Sequence, residues 1–202
     1  MEKVCISSGN TKMGSIQSVS LPPIITCREG CACAKKCYAA KLARLRSNVR
    51  ESYQRNLRIL QNDPDGYWMQ IRAAVATSKY FRFHVSGDIV NEEYLRNMIE
   101  IANTYKTTEI LCFTKQFEIV NRYLDAGGEI PANLHLIFSA WPGIEMDNKY
   151  CLPEAHVVFK GGVTTADLKI AKECGGNCTE CAITDGGCWT LKAGEQVVFA
   201  EH

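Results

Sequence analysis

Residues 26–38 read TCREGCACAKKCY, which places four thiols within eleven residues. The glycine and alanines between the cysteines keep this segment small enough to fold around a bound group. Cysteines spaced this closely in a chain with no recognisable export signal favour the ligands of a soft metal centre. A disulfide framework is the alternative, but such short separations would force strained loops. The stretch therefore predicts a metal-binding loop over residues 27–37.

Composition predicts one domain that spans residues 1–202. The chain is 46% apolar and 22% charged, as soluble globular proteins are. Its polar first residues offer no signal-peptide core, and no apolar run approaches the roughly 20 residues that cross a bilayer. We therefore expect a cytoplasmic protein with no membrane contact. Its eleven cysteines, an odd number, are expected to stay reduced.

Positive charge is concentrated in one segment. Residues 28–58 hold nine basic and two acidic side chains, or +7, whereas the whole chain carries only +1. A cationic helix beside the cysteine loop suits nucleic acid or another polyanion as a possible partner. A solvated outer helix face explains the same charges and is the favoured interpretation.

Apolar periodicity predicts six strands that alternate with helices. A long amphipathic helix is predicted over residues 38–60, ending near Pro64, and Asn91 is the expected N-cap of a later helix. A capping-box pattern predicts a short helix over residues 164–171. The predicted strands are 16–21, 80–85, 109–113, 134–139, 156–160 and 196–200. This alternation favours a parallel sheet covered on both faces, because parallel neighbours need crossover connections.

Polar and glycine-rich stretches follow most of the predicted strands. They are the cysteine loop, Ser86-Gly87-Asp88, Thr114-Lys115, Ser139-Ala140-Trp141 and Lys160-Gly161-Gly162. Sites in parallel α/β folds gather beyond the carboxyl ends of the strands. The sequence therefore predicts an active site at this edge of the sheet.

The order of elements resembles that of radical S-adenosylmethionine (SAM) enzymes. A first strand leads into a cysteine loop and a helix, and the second strand ends in a turn of two small residues and an acid. The resemblance implies a partial (β/α)6 TIM-like barrel in which three cysteines hold a 4Fe-4S cluster. It also implies that SAM chelates the open iron of this cluster and that Ser86, Gly87 and Asp88 bind its amine. The cysteine spacing departs from the pattern, being C-x3-C-x-C-x3-C rather than C-x3-C-x2-C.

Nearly the whole chain is similar to a phage and prophage family called gene product 88. The resembling stretches are GNTKMG at 9–14, SLP at 20–22, TC at 26–27, CAKKCYA at 33–39, HVSGD at 84–88, FTK at 113–115 and the closing cysteines with Trp189. The cysteine spacing of that family, C-x5-C-x3-C, implies that Cys27, Cys33 and Cys37 are the cluster ligands. Cys31 is then an additional thiol near the cluster.

Two kinds of metal compete for the first cysteine loop. Thiolates suit iron, and free amides of the loop can hydrogen-bond the sulfurs of a cluster. Tetrahedral zinc is the alternative, and all four cysteines including Cys31 would satisfy it. Structural zinc usually draws on two separated pairs of ligands, whereas this loop offers four from one place. Iron is the favoured metal, largely because the family resemblance implies it.

A second set of four thiols lies near the end of the chain, over residues 174–188. Its members are Cys174, Cys178, Cys181 and Cys188, with glycines between them that allow tight turns. The set predicts either an auxiliary iron–sulfur cluster or a zinc ion. Four protein ligands leave no open coordination position, so its role would be structural or electron-relaying.

Single side chains at the strand ends have alternative interpretations. As a set, Lys115 and Ser139 are predicted to meet a carboxylate or ribose of the cofactor, although each alone is also explained as an ordinary surface residue. Trp141 is predicted either to cover the cofactor or to plug the mouth of the barrel. Asp88 is predicted to accept a hydrogen bond from the SAM ammonium, or else to cap the helix that follows its turn. His84 is interpreted as an interior histidine whose hydrogen bonds are satisfied.

The sequence thus favours a radical SAM-like enzyme that cleaves SAM reductively and starts radical chemistry on an unknown substrate, with an external electron donor. In such enzymes the cofactor carries the difficult chemistry and the protein positions it. The alternative is a non-enzymatic iron–sulfur or zinc protein with a structural, redox-sensing or partner-binding role. The unusual cysteine spacing supports that alternative.

Overall fold

The computed structural model describes residues 2–184 and 186–201, which form a mixed α/β fold around an eight-stranded, mostly parallel sheet. The strands are β1 (Ile6–Ser7), β2 (Gln17–Val19), β3 (Tyr80–Phe83), β4 (Glu109–Thr114), β5 (Leu134–Ser139), β6 (Glu154–Val158), β7 (Lys172–Glu173) and β8 (Gln196–Ala200). Their order across the sheet is β1-β2-β3-β4-β5-β6-β8-β7. β1 pairs antiparallel with β2, and the other described pairs are parallel.

The described α-helices are α1 (Tyr38–Leu45), α2 (Ser47–Asn62), α3 (Pro64–Ala76), α4 (Glu92–Thr104), α5 (Phe117–Asp125) and α6 (Cys178–Ile183). The first five fill the crossovers of the first half of the sheet, and α6 lies between β7 and β8. The first three connect β2 to β3, α4 connects β3 to β4, and α5 connects β4 to β5. The predicted alternation of strands and helices is therefore confirmed over this half. Within residues 2–184 and 186–201, no helix combines the length and apolar character that crossing a membrane requires.

The single long helix predicted over residues 38–60 is wrong. The chain breaks it at Arg46, whose backbone is extended (φ −128°, ψ 105°). The Arg46 N–H donates to the carbonyl of Leu42 and closes α1, and α2 begins at the next residue. Apolar residues keep helical spacing on both sides of the break, so periodicity alone does not reveal it.

Residues 164–171 form turns instead of the predicted short helix. The Thr164 hydroxyl accepts a hydrogen bond from the Ala166 N–H at 3.2 Å, and the Asp167 carboxylate accepts one from the Lys169 N–H at 3.0 Å. Both side chains bond to the backbone two residues ahead, which competes with helix formation. The sequence also missed β1 and β7, which have two residues each and show no strand period.

The sheet has a separate apolar core on each face. On the helix side, Phe83 and Ile110 pack in one cluster with Met98 of α4. On the opposite side, Ile137 packs with Trp189 from the C-terminal cysteine segment. Neighbouring strand residues point to opposite faces. The strands are therefore apolar on both sides, as their sequence runs predict.

The N-terminus of α4 has the predicted cap. The Asn91 side chain accepts a hydrogen bond from the Tyr94 N–H at 2.8 Å. Glu92 and Glu93 follow in the first turn, where negative charge is favourable. Local chemistry thus fixes where this helix begins after the turn that follows β3.

The positive charge of the basic segment 28–58 is partly neutralised by ion pairs on the surface of the fold. Ion pairs join Arg28 to Glu118, Lys36 to Glu201, and both Arg55 and Arg58 to Glu2. Exposed pairs of this kind add little stability, but they reduce the positive charge that a polyanion would meet. Nucleic-acid binding therefore stays a prediction.

A buried amide joins the N-terminal segment to the sheet. The Asn56 side chain of α2 is 1% exposed and accepts a hydrogen bond from the Cys5 N–H at 2.7 Å. It donates to the carbonyls of Cys5 and Ser20 at 3.1 and 2.9 Å. One side chain therefore satisfies three backbone groups on two segments, directly before the cysteine loop.

Replacing Asn56 by Ala is expected to lower the free energy of unfolding by about 3 kcal/mol, because buried backbone groups lose their partners. Chemical denaturation measures the change. Asn48→Ala on the exposed side of the same helix is the matched control and should change stability by less than about 0.5 kcal/mol. Equal effects of the two substitutions would contradict the role of Asn56.

Candidate functional site

One cavity of about 250 Å³ lies at the carboxyl ends of the parallel strands. All four thiols of the cysteine loop line it, together with the turn 86–88 after β3. Lys115, Ser139 and Trp141 line it at the ends of β4 and β5. The structure thus brings together most of the stretches that the sequence predicts at this edge. Residues 160–162 are not among the described residues that line the cavity.

Other lining residues were not predicted as site residues. They are Lys36, Arg82, His156, Phe199 and Glu201, among others. Arg82 and Phe199 project from the middle of β3 and β8. A charged residue inside an otherwise apolar strand is the signal in the sequence that points to Arg82.

The cysteine loop is shaped by its own backbone. Residues 32–36 form a short 3-10 helix, and Cys37 is the N-cap of α1, where its sulfur accepts a hydrogen bond from the Ala40 N–H at 3.4 Å. The Cys27 sulfur accepts one from the Ile24 N–H at 3.3 Å. Two of the three predicted cluster ligands therefore have amide donors on their sulfurs, and such hydrogen bonds orient the ligands of metal centres.

The thiols of Cys31 and Cys33 lie 2.7 Å apart. Burial raises the pKa of Cys33 to about 12, and the neighbouring Cys31 thiol adds to this. Burial likewise raises the pKa of Cys27 to about 11. Without a bound cation, Cys27 and Cys33 hold their protons at neutral pH, so a metal would have to displace those protons.

Within residues 2–184 and 186–201, no group of three or more His, Cys, Asp or Glu side chains is arranged to hold a metal ion. Zinc needs its thiolate sulfurs at about 2.3 Å from one centre. A cluster of several iron and sulfide atoms holds its thiolates further apart than a single ion does. The metal at this loop therefore stays a prediction.

Asp88 joins the ends of two neighbouring strands. Its carboxylate is 5% exposed and accepts hydrogen bonds from the Thr114 hydroxyl at 2.6 Å and from the Lys115 and Ile89 N–H groups at 2.8 Å each. Burial raises its pKa, and the bonds from Thr114 and Lys115 oppose that rise. Both carboxylate oxygens are thus engaged by the chain itself, and the next helix is capped by Asn91 instead.

Gly87 allows the turn to pack directly against the segment that enters the cysteine loop. Its φ of +82° lies in the left-handed region. A Cβ at this position would lie 2.7 Å from the Thr26 hydroxyl and 2.8 Å from the Leu21 side chain. Glycine is therefore required here by conformation and by close approach.

A cation and aromatic rings line the other side of the cavity. The Lys115 ammonium donates to the Ser139 hydroxyl at 2.7 Å and lies 5.9 Å from the centre of the Trp141 ring. Trp141 meets Phe159 edge-on, with ring centres 5.1 Å apart. The two residues predicted to meet a carboxylate or ribose therefore contact each other within the cavity wall.

His84 is an interior residue, as predicted, but the prediction that its hydrogen bonds are satisfied is wrong. The ring is buried, and neither nitrogen has a hydrogen-bond partner of good geometry. Burial lowers its pKa to about 3, so the ring is neutral. Its backbone is left-handed (φ +61°), which is strained for a residue with a side chain. The ring packs against Tyr94, with centres 5.3 Å apart.

The C-terminal cysteines line a different and smaller cavity, of about 30 Å³. All four predicted thiols, Cys174, Cys178, Cys181 and Cys188, contribute to it, together with Trp189. Three residues border both cavities, namely Arg82, Phe113 and Phe199. The two cysteine sets therefore lie on opposite sides of a thin shared wall.

Comparison with known proteins identifies one family. The family model described as gene product 88 matches residues 4–181, which include the cysteine loop, the Asp88 turn and Lys115. No curated protein and no solved structure matches the chain, and nothing in the comparisons supports the radical SAM resemblance. Since the match covers most of the sequence, the chain belongs to the gene product 88 family.

Proposed function

We propose that this protein is an iron–sulfur enzyme of the radical SAM type, in which Cys27, Cys33 and Cys37 hold a 4Fe-4S cluster. The observation that carries the proposal is that the loop thiols and the ends of three neighbouring strands line one cavity. A metal centre and a small organic cofactor would therefore share one enclosed space. Cys31 would remain beside the cluster without binding it.

The donor set fits a cluster with one iron not bound by protein. Three thiolates come from one short loop, and the sulfurs of Cys27 and Cys37 accept backbone hydrogen bonds. Such bonds tune the potential of iron–sulfur centres and orient their ligands. The position of Cys37 at the N-terminus of α1 adds the favourable field of the helix to its thiolate.

The strand order supports a partial barrel. β2, β3, β4, β5, β6 and β8 run parallel and lie side by side in chain order. Right-handed crossovers in such an order place the connecting helices on one face, as in (β/α) barrels. We extend the proposal to the fold: the sheet curves into a partial (β/α)6 barrel whose open end is the 250 Å³ cavity.

The cavity wall offers contacts for the polar groups of SAM. The Lys115 ammonium and the Ser139 hydroxyl suit its carboxylate or ribose, and Gly87 allows a ligand to approach the backbone of the turn. Asp88 would act mainly as a positioning residue, since its carboxylate already accepts three hydrogen bonds from the chain. Trp141 would cover the cofactor and exclude water.

When bound, the cluster supplies an electron and a coordination position for SAM, whose reductive cleavage starts radical chemistry. The chain's own residues would hold the two cofactors together and keep the cavity dry. An external electron donor would reduce the protein.

One observation favours a second candidate function. The thiols of Cys31 and Cys33 are only 2.7 Å apart, so both point toward the same place. A centre that uses both as ligands, along with Cys27 and Cys37, would have no open position. The protein would then be a non-enzymatic metal protein with a structural or redox-sensing role.

The first prediction concerns iron content. Anaerobically purified protein is expected to contain iron and acid-labile sulfide, and Cys27→Ser, Cys33→Ser and Cys37→Ser should each lose most of both, because three ligands are the minimum set. Cys31→Ser should keep them. Cys151→Ser, at an exposed cysteine away from the cavity, is the matched control. Iron and sulfide analysis with visible absorption measures the result.

Two outcomes would contradict this assignment. A colourless protein with stoichiometric zinc in the first loop would contradict the iron–sulfur proposal and support the second candidate, a non-enzymatic metal protein. Loss of iron in Cys31→Ser equal to that in Cys33→Ser would show that all four thiols are ligands, which leaves no iron open.

The second prediction concerns SAM. Adding SAM to the reduced protein should change the paramagnetic resonance spectrum of the cluster, because a ligand would join the open iron. Lys115→Met should weaken SAM binding about tenfold or more through loss of a charged contact, at unchanged iron content. Isothermal titration calorimetry measures the affinity.

The matched control is Lys149→Met, an exposed lysine that pairs with Asp125 and does not line the cavity. Its affinity for SAM should equal that of the unmodified protein. A spectrum insensitive to SAM, with no heat of binding, would remove SAM from the proposal while leaving the cluster assignment to the iron analysis.

A further inference from the structure

The C-terminal cysteine segment is fastened to the rest of the fold at several points. The Cys178 N–H donates to the Lys12 carbonyl at 2.8 Å, and the Cys174 N–H donates to the Val198 carbonyl at 2.9 Å. The Trp189 indole donates to the Cys178 carbonyl at 3.2 Å. The first two bonds attach the segment to the rest of the fold, and the third closes the segment on itself, with its four thiols around the 30 Å³ cavity.

The chain turns tightly around one of these thiols. Gly187 has a φ of +60°, and a Cβ at this position would lie 2.8 Å from the Cys181 sulfur. Any side chain here would press on that thiol, so the turn requires glycine. The backbone at Gly187 therefore passes close to the Cys181 sulfur.

Arg82 places a cation beside the same thiols. It projects from β3 and lines the cavity, and its Nε is buried without a hydrogen-bond partner. Its guanidinium lies 4.8 Å from the centre of the Phe113 ring and donates to the Met13 sulfur at 3.2 Å. Among the described ion pairs none includes Arg82. A nearby anion would offset the free-energy cost of partly burying this guanidinium.

We infer that Cys174, Cys178, Cys181 and Cys188 bind one zinc ion as four thiolates, with Arg82 as the counter-cation. Four thiolates around Zn²⁺ carry a net charge of 2−, which supplies the anion that Arg82 lacks. As each thiol binds, its proton passes to solvent. The thiols are not preassembled around one point, so their side chains rotate inward when the ion enters.

The size of the cavity favours one ion over a cluster. Its volume is about 30 Å³, against about 250 Å³ for the cavity of the first cysteine loop. A volume of this size holds one ion or water molecule, whereas a cluster adds several iron and sulfide atoms. The four-ligand site is closed and therefore structural.

The proposed zinc site would also support the first cavity. Arg82, Phe113 and Phe199 form the wall that both cavities share. Fixing the thiols on one side of this wall would hold its side chains on the other side. The inference stands independently of the iron–sulfur proposal, since it uses different cysteines.

Zinc content of the full-length chain tests the inference. We expect one zinc per chain in the unmodified protein and in Cys33→Ser, which removes a proposed cluster ligand. Cys181→Ser and Cys188→Ser should lose it, whereas Cys151→Ser should keep it. Zinc, iron and sulfide are measured together by elemental and sulfide analysis, so failure of one proposal is distinguishable from failure of the other.

Cobalt substitution covers the case in which the serine variants fail to fold. Co²⁺ loaded into the unmodified chain, and into Cys33→Ser, which lacks a thiol of the first loop, should give in both the intense visible absorption of a tetrahedral thiolate site. Absence of this absorption would overturn the inference. Zinc retained by Cys181→Ser, or iron and sulfide retained by Cys33→Ser in place of zinc, would overturn it as well.

The role of the Arg82 charge is tested with two substitutions, of which Arg82→Met removes the charge and Arg82→Lys keeps it. Arg82→Met should lower zinc affinity about tenfold or more, as loss of partners around metal ligands does, and Arg82→Lys should restore most of it. Competition with a chromogenic chelator measures the affinity, and far-UV circular dichroism checks folding. Arg96→Met, at an exposed arginine of α4, is the control. Equal affinities in Arg82→Met and Arg82→Lys would show that charge has no part in the site.

Discussion

The buried carboxylate of Asp88 holds together the edge of the sheet on which the candidate site is built. It bonds the turn after β3 to the end of β4 through the Thr114 hydroxyl and the Lys115 N–H. The Leu21 N–H donates to the Ser86 carbonyl at 3.0 Å, which continues the pairing of β2 with β3 into the cysteine loop. Gly87 then packs on the same entering segment. Three strand ends and the thiol loop are thus fixed relative to one another by one turn.

The two faces of the sheet differ because they are covered by different parts of the chain. Helices bury one face in a continuous apolar core, which supplies most of the hydrophobic stabilisation. The opposite face is covered by the short segments 13–16 and 174–191, which leave space on both sides of Arg82. Polar and sulfur chemistry therefore concentrates where no long helix packs.

The sequence predicts the six longer parallel strands and the shared edge, because short apolar runs separated by helical patterns, together with parallel topology, leave few alternatives. It predicts Asn91 as a cap for a local reason that needs no tertiary contact. It misses the break at Arg46, since apolar spacing is the same on both sides, and it misplaces a helix at 164–171, where side chains bond to the nearby backbone instead. Contacts between residues far apart in sequence, such as those that place Arg82 in the wall between the two cavities, are not predicted by the spacing of residues along the chain.

The distinction between the two thiol sets follows from what surrounds them. The first set faces a larger space bordered by Lys115, Ser139 and Trp141, so a ligand can reach a centre held there. The second set is enclosed by backbone turns, Trp189 and Arg82, so a centre held there meets only protein. Two sets of four cysteines in one chain thus have different surroundings. Access, charge and available volume, rather than the number of cysteines, are the properties that would distinguish an open centre from a closed one.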